Sequence, residues 1–194
     1  MYSLIHREII MRLSHIKDEV VFDGKYTQMI LRHVLSKSGK PIVWEMVRRK
    51  THGRIVAIVP VTIKKEVVLV KIYRVPVQSY VIEACAGLMD VRGESEEDAA
   101  RREMLEETGF QSEKIERIVS GSFNSGLLAD EIVYFIARNA KKVSDPKLED
   151  AEDLEVVRIP LEKLESFLEH PPDNAKVDVK LFGILYFLKK IFLQ

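Results

Sequence analysis

The chain has 194 residues, 46% of them hydrophobic and 31% charged, with 30 basic residues against 30 acidic ones. That length and composition suit one main globular domain with a full core, and zero net charge excludes bulk attraction to nucleic acid or to an anionic membrane, so any phosphate recognition must be local. Cys85 is the sole cysteine, which excludes an intrachain disulfide; with no signal-like apolar core after Met1 and no run of about eighteen apolar residues, the expected location is the cytoplasm.

In chain order, residues 1–49 predict a small β-rich arm. Glu19–Phe22 and Tyr26–Leu35 are strand-like around the turn signal Asp23-Gly24, and Lys37–Pro41 is a second turn before a strand over Ile42–Arg49. The main domain, residues 50–194, follows with strands near Val56–Thr62, Glu66–Tyr73 and Tyr80–Cys85, then a helix near Glu96–Glu107. Strand-like runs return at Ile115–Phe123 and Glu131–Ala137. Beyond the polar stretch Lys141–Asp153 come a strand at Leu154–Ile159 and a helix over Pro160–Leu168, with Pro at its first turn. Leu181, Ile184, Leu185, Leu188 and Phe192 recur at a helical period within Val177–Leu193, which predicts a core-packing helix. Cys85, in an apolar strand, reads as a buried structural thiol.

The helix at Glu96–Glu107 carries the chemistry. At about 100° per residue, Glu103, Glu106 and Glu107 share one sector, and like charges three or four residues apart repel by a few tenths of a kcal/mol per pair, roughly. An acidic, solvated helix face is the bland reading, and Ser95 with Asp98, the acidic first turn and Gly109 after the last turn are ordinary capping. The context argues for more. A strand and a loop, Ala86-Gly87-Leu88-Met89-Asp90, lead directly into the carboxylates, and this density of carboxylate oxygen suits Mg²⁺ or Mn²⁺.

Strand, loop and helix together resemble the signature box of the Nudix hydrolases. From Glu94 through Arg102, Glu103, Met104, Glu106, Glu107, Gly109 and Phe110 every fixed position of that box matches. Gly87 stands one position further from Glu94 than the pattern asks, which reads as a one-residue insertion within Asp90–Gly93. Val70–Val77, with its Tyr73-Arg74 and Pro76, and Ile82–Asp90, with Glu83 three residues before Ala86-Gly87-Leu88, resemble the nucleoside-diphosphate-sugar branch typified by ADP-ribose pyrophosphatase. So does Val43–Arg49.

The resemblance implies an α+β fold, a mixed β-sheet sandwiched between helices, with residues 1–49 as an arm that exchanges between the subunits of a homodimer. It implies Mg²⁺, or Mn²⁺, held by Glu103, Glu107 and the backbone carbonyl of Ala86, with Glu106 sharing the cluster and Arg102 orienting a box carboxylate. Arg74, Glu83 and Gly87 are expected at the substrate, and Trp44, the sole tryptophan, stacks on the adenine or packs as an ordinary interface residue. A loop carboxylate is expected within Leu148–Glu155, with Glu152 the first choice for general base and Glu149 the second. Ser125, before Gly126, replaces a proline usual in ADP-ribose enzymes. The implied reaction is Mg²⁺-dependent cleavage of ADP-ribose to AMP and ribose 5-phosphate. Alternatives are another nucleoside diphosphate derivative, such as ADP-glucose or GDP-mannose, or a nucleotide-binding module without catalysis. No nucleic acid or membrane partner is expected.

Overall fold

The computed structural model describes residues 13–50, 54–148 and 152–193. Contacts divide the chain into two compact units. The first holds the described residues up to Lys50 and takes in Ser122–Asp130; the second holds the described remainder.

The first unit is an antiparallel meander of β1 (Ser14–Asp23), β2 (Thr27–Leu35) and β3 (Pro41–Arg49). Its turns fall where the sequence signals them. Gly24 N–H donates to the Thr27 carbonyl at 2.9 Å, and Gly39, at φ +75°, closes the Ser36–Lys40 turn. Arg32 faces Asp18 across β1–β2 and grips its carboxylate with two 2.8 Å bonds, which holds that carboxyl well below the usual range. Ser122–Asp130 returns to this unit: Val47 N–H donates to the Leu127 carbonyl at 2.9 Å, Ala129 N–H to the Val47 carbonyl at 3.2 Å, and Arg49 pairs with Asp130. A boundary at residue 49 does not anticipate that return, because its pairing with β3 leaves no hydrophobic period of its own. Ile16, Val20, Phe22 and Val43 remain half-exposed on the sheet.

The second unit is built on nine strands: β4 (Ile55–Thr62), β5 (Glu66–Arg74), β6 (Ser79–Glu83), β7 (Cys85–Leu88), β8 (Phe110–Gln111), β9 (Lys114–Ser122), β10 (Glu131–Lys142), β11 (Leu154–Pro160) and β12 (Lys176–Val177). The order is β12-β6-β5-β4-β10-β8, with β11 on β5, β7 on β4 and β9 on β10. β10 runs parallel to β4, and β12 to β6; the other registered pairs are antiparallel, so the sheet is mixed. β4 and β5 are buried on both faces, which explains their nearly unbroken runs of Val, Ile and Leu.

The apolar run at Tyr80–Cys85 is two strands rather than one. β6 pairs β5 through Glu83; the chain then changes partner at Ala84, and β7 pairs β4 with Ala86 opposite Ala57. Composition cannot reveal a change of partner, since both neighbours ask for the same apolar side chains. The predicted box helix is α1 (Glu96–Thr108). Ser95 caps it, accepting from Asp98 N–H at 3.1 Å, and Ala99, Ala100 and Met104 pack on Val56, Ile58, Val68, Val133 and Phe135. Small residues at 99 and 100 let the helix lie close on the sheet.

Two expectations near the C-terminus need correction. Pro160 is not in a helix: it ends β11 opposite Glu66, where a missing N–H is tolerated. A short 3₁₀ turn, Leu161–Lys163, then leads into α2 (Leu164–Glu169). The last helix, α3 (Lys180–Phe192), starts later than predicted because Lys176–Val177 is paired to β6 as β12. Its Leu181, Ile184, Leu185 and Leu188 are buried, as the period requires. Among the described residues, no helix is long and apolar enough to cross a membrane.

Gly109 ends α1 at φ +72°, its N–H donating to the Leu105 carbonyl at 2.9 Å, and a Cβ there would lie 2.1 Å from the Ser144 carbonyl oxygen. Both the left-handed backbone and the close neighbour exclude a side chain. Gly109→Ala is therefore expected to cost about 1–3 kcal/mol in urea unfolding, read as a lowered midpoint at unchanged slope.

Candidate functional site

α1 lies against β7, and that contact assembles a cluster of carboxylates around one guanidinium. Arg102 reaches four acids. Its Nε and Nη2 donate to Glu94 at 3.0 and 3.1 Å, its Nη1 to Glu103 at 2.7 Å and to Glu106 at 3.2 Å, and Asp90 lies 3.5 Å away. Nη2 also donates to the Leu88 carbonyl at 3.3 Å, which ties the helix to the end of β7. Four carboxylates thus share one guanidinium, and Glu107, one helical turn beyond Glu103, adds a fifth acid to the same face of α1.

Glu107 is buried and Glu103 partly buried, so these two are the least solvated of the acids on α1. Glu107 is 5% exposed, and burial pushes its carboxyl up to about 7, with Glu103 and Glu152 adding negative charge nearby. The Cys85 thiol and the Ala86 N–H, at 3.1 Å, donate to Glu107 and offset part of that cost. Burial also raises Glu103, with Glu106 and Asp90 in the same direction and Arg102 against them. Cys85 is fully buried and its thiol is raised, so it is a structural donor and not a nucleophile, as its strand position suggested.

Gly87 has a clear physical role. A Cβ on it would lie 1.9 Å from the Glu103 carboxylate, so that carboxylate occupies the space a side chain would fill. This makes Gly87 a floor for Glu103. The donor set suits a divalent cation: hard carboxylate oxygens, Glu107 buried and Glu103 partly buried, beside the backbone of Ala86. Among the described residues no three His, Cys, Asp or Glu side chains converge as a ready-made cage. Arg102 now satisfies Glu103 and Glu106, and a bound cation would compete with it for them.

The predicted flanking residues sit in known places. Arg74 and Glu83 hold each other through bonds of 2.6, 3.1 and 3.2 Å across the β5–β6 hairpin, and Arg74 is near enough to Glu107 to feel its charge. Glu152 precedes β11 and its charge reaches Glu107; Glu149 lies outside the described residues. Trp44, Ser125 and Gly126 form a group within the first unit, where the indole N–H donates to the Gly126 carbonyl at 3.1 Å. That bond occupies the edge of the ring, and the side chain is half-exposed. Asp90 and Glu94, which face Arg102, and Cys85, which donates to Glu107, are not among the expected site residues. Glu94 was legible as a fixed position of the box. A cavity of about 690 Å³, lined by Ile63, Arg101, Arg102, Leu105 and Lys141 among others, shares Arg102 with the cluster, while Glu103, Glu106 and Glu107 are not in its lining.

Because the three atoms nearest a Cβ on Gly87 are the far end of the Glu103 side chain, Gly87→Ala is expected to change unfolding stability by only about 1 kcal/mol. Yet it should weaken Mn²⁺ binding at least roughly tenfold, as second-contact changes do, read by calorimetric titration.

The family model of the NUDIX domain matches residues 51–181. The methanol dehydrogenase activator of Bacillus methanolicus is 29% identical over 156 residues, spanning 79% of this chain and 82% of that protein. The ADP-ribose pyrophosphatase of Bacillus subtilis is 33% identical over 149 residues, spanning 76% and 78%. The crystal structure of an ADP compounds hydrolase has the same fold, with a TM-score of 0.77 over 92% of this chain and 93% of that one at 23% identity.

Proposed function

The chain belongs to the NUDIX family, and from that membership we propose that it hydrolyses the diphosphate bond of a nucleoside diphosphate sugar, with ADP-ribose the leading substrate, giving AMP and ribose 5-phosphate. The observation that carries this reading is the pair of carboxylates, partly buried Glu103 and buried Glu107, packed against Gly87 and Ala86 with Arg102 bonded to Glu103 and Glu106. The likeness to a pyrophosphatase of ADP-ribose supports the substrate class.

A divalent cation, Mg²⁺ or Mn²⁺, held by Glu103, Glu107 and the Ala86 carbonyl would neutralise diphosphate oxygens and lower the pKa of a water. The chain's own groups supply the rest. Arg102 keeps Glu103 and Glu106 aimed while they exchange partners. Arg74 presents a guanidinium to the diphosphate, with Glu83 fixing its plane, and Glu83 offers its remaining acceptor capacity to the substrate. Glu152 takes the proton of the attacking water, whose oxygen forms the new P–O bond as the bridging oxygen leaves. Trp44, its edge tied to Gly126, offers its flat face to the base. Ser125 lacks the fixed φ of a proline, which leaves the sugar end less constrained; ADP-glucose and GDP-mannose are the next candidates. A binding module without catalysis is disfavoured by the intact glutamate cluster.

The test is release of nucleoside monophosphate from a panel of nucleoside diphosphate sugars with Mg²⁺. ADP-ribose should give the highest kcat/KM, and Glu107→Gln should reduce kcat by roughly 10³-fold or more, since a cation ligand acts together with the groups around it. No turnover of any panel member by the unaltered protein would overturn the reading.

We propose also that the arm makes the protein a homodimer. Ile16, Val20, Phe22 and Val43, each at least 45% exposed on one three-stranded sheet, are apolar side chains that a second copy would cover. Ile16→Asp combined with Phe22→Asp should shift the sedimentation coefficient from dimer to monomer while the circular dichroism is kept.

A further inference from the structure

The β5–β6 hairpin has two faces, and alternation along each strand assigns every side chain to one of them. Val68, Val70, Ile72 and Arg74 point toward α1, since Val68 packs in the cluster that contains Met104. Lys71 and Tyr73 point away. The register carries the assignment to β6: Tyr80 opposes Tyr73 on the far face, and Glu83 opposes Val70 on the α1 face. The rings of Tyr73 and Tyr80 meet edge to face, with centroids 5.5 Å apart.

β11 pairs the other side of β5, with Leu154 opposite Ile72 and Val156 opposite Val70. Both therefore take the α1 face, and Val156 packs against the same cluster. Counting back, Asp153 belongs to the far face and Glu152 to the α1 face. These two residues precede the strand, yet the ladder reaches them: Tyr73 N–H donates to the Asp153 carbonyl at 2.9 Å. On the far face the Tyr80 hydroxyl reaches over β5 and donates to the Asp153 carboxylate at 2.6 Å. Glu152 in turn lies close enough to the Cys85 thiol and Glu107 for its charge to act on both.

We propose that Tyr80 and Asp153 are positioning residues that lock the register at the entry to β11, so that Glu152 is presented to the α1 carboxylates. A slip by one residue would turn Glu152 to the far face and bring Asp153, one methylene shorter, in its place. The bond spans three strands, from β6 across β5 to the approach to β11. It thereby ties the acid that is to accept a proton to the hairpin that carries Arg74 and Glu83. This inference rests on the proposed hydrolysis with Glu152 as base.

The experiment uses the full chain with Mg²⁺ and ADP-ribose, and reads steady-state kinetics alongside amide hydrogen exchange at Tyr73. Tyr80→Phe should lower kcat roughly 10- to 100-fold with little change in KM, the scale expected when a catalytic group is misplaced by about 1 Å. It should also speed exchange of the Tyr73 amide. Asp153→Ala should behave alike, whereas Asp153→Asn, whose amide oxygen still accepts from Tyr80, should keep most of the rate. Glu152→Gln should be slow, and adding Tyr80→Phe to it should slow it no further. The lock is overturned if Tyr80→Phe turns over normally, if its effect multiplies fully with that of Glu152→Gln, if Glu152→Gln is as fast as the unaltered enzyme, or if Tyr73 exchange is unchanged. If the unaltered protein hydrolyses no nucleotide sugar, the proposed function fails instead, and exchange at Tyr73 still decides whether the lock exists.

Discussion

Burial of Glu107, with Glu103 partly buried beside it, between α1 and β7 is the constraint on which the rest of the second unit depends. A carboxylate removed from water must be hydrogen-bonded, paired or neutralised, and each neighbouring feature serves one of those ends. Ala86 N–H and the Cys85 thiol donate to Glu107. Gly87 gives Glu103 room, and Arg102 supplies the countercharge that the helix brings with it. The small residues Ala99 and Ala100 bring the helix close enough to β7 for these bonds to form. What the protein does not supply is sufficient positive charge, and that shortfall is the physical basis for expecting a cation.

The same economy governs Arg102. One guanidinium serves Glu94, Glu103 and Glu106 and the carbonyl at the end of β7. Such a group is not a surface ion pair of small worth, because it is half-enclosed and its partners belong to the loop, the helix and the strand. Removing it would release three elements together.

The helix and its caps were legible because each residue acts locally: Ser95 on Asp98, Gly109 on Leu105 and the glutamates through helical spacing. Most strands of the sheet were legible from β-branched runs and turn residues. What could not be read depends on partners distant in sequence. The split of one apolar run into β6 and β7, the two-residue strands β8 and β12, and the return of Ser122–Asp130 to the first unit are decided by pairing and not by local preference. At the site, the box named the carboxylates and the resemblance named Arg74 and Glu83, but not that this pair would hold each other. That Gly87 serves as a floor for Glu103 required coordinates, since the loop's extra residue hides the relation between them.

Ala84, 3% exposed, is the one residue between the end of β6 and the start of β7. On one side of it the backbone carries Glu83, and so Arg74; on the other it carries Ala86 and Gly87, beneath the buried acids. A strand is nearly inextensible along its length, so displacement of the hairpin must be felt by the floor within two residues. The Arg74–Glu83 pair and the Gly87 floor are thus joined through a single peptide segment.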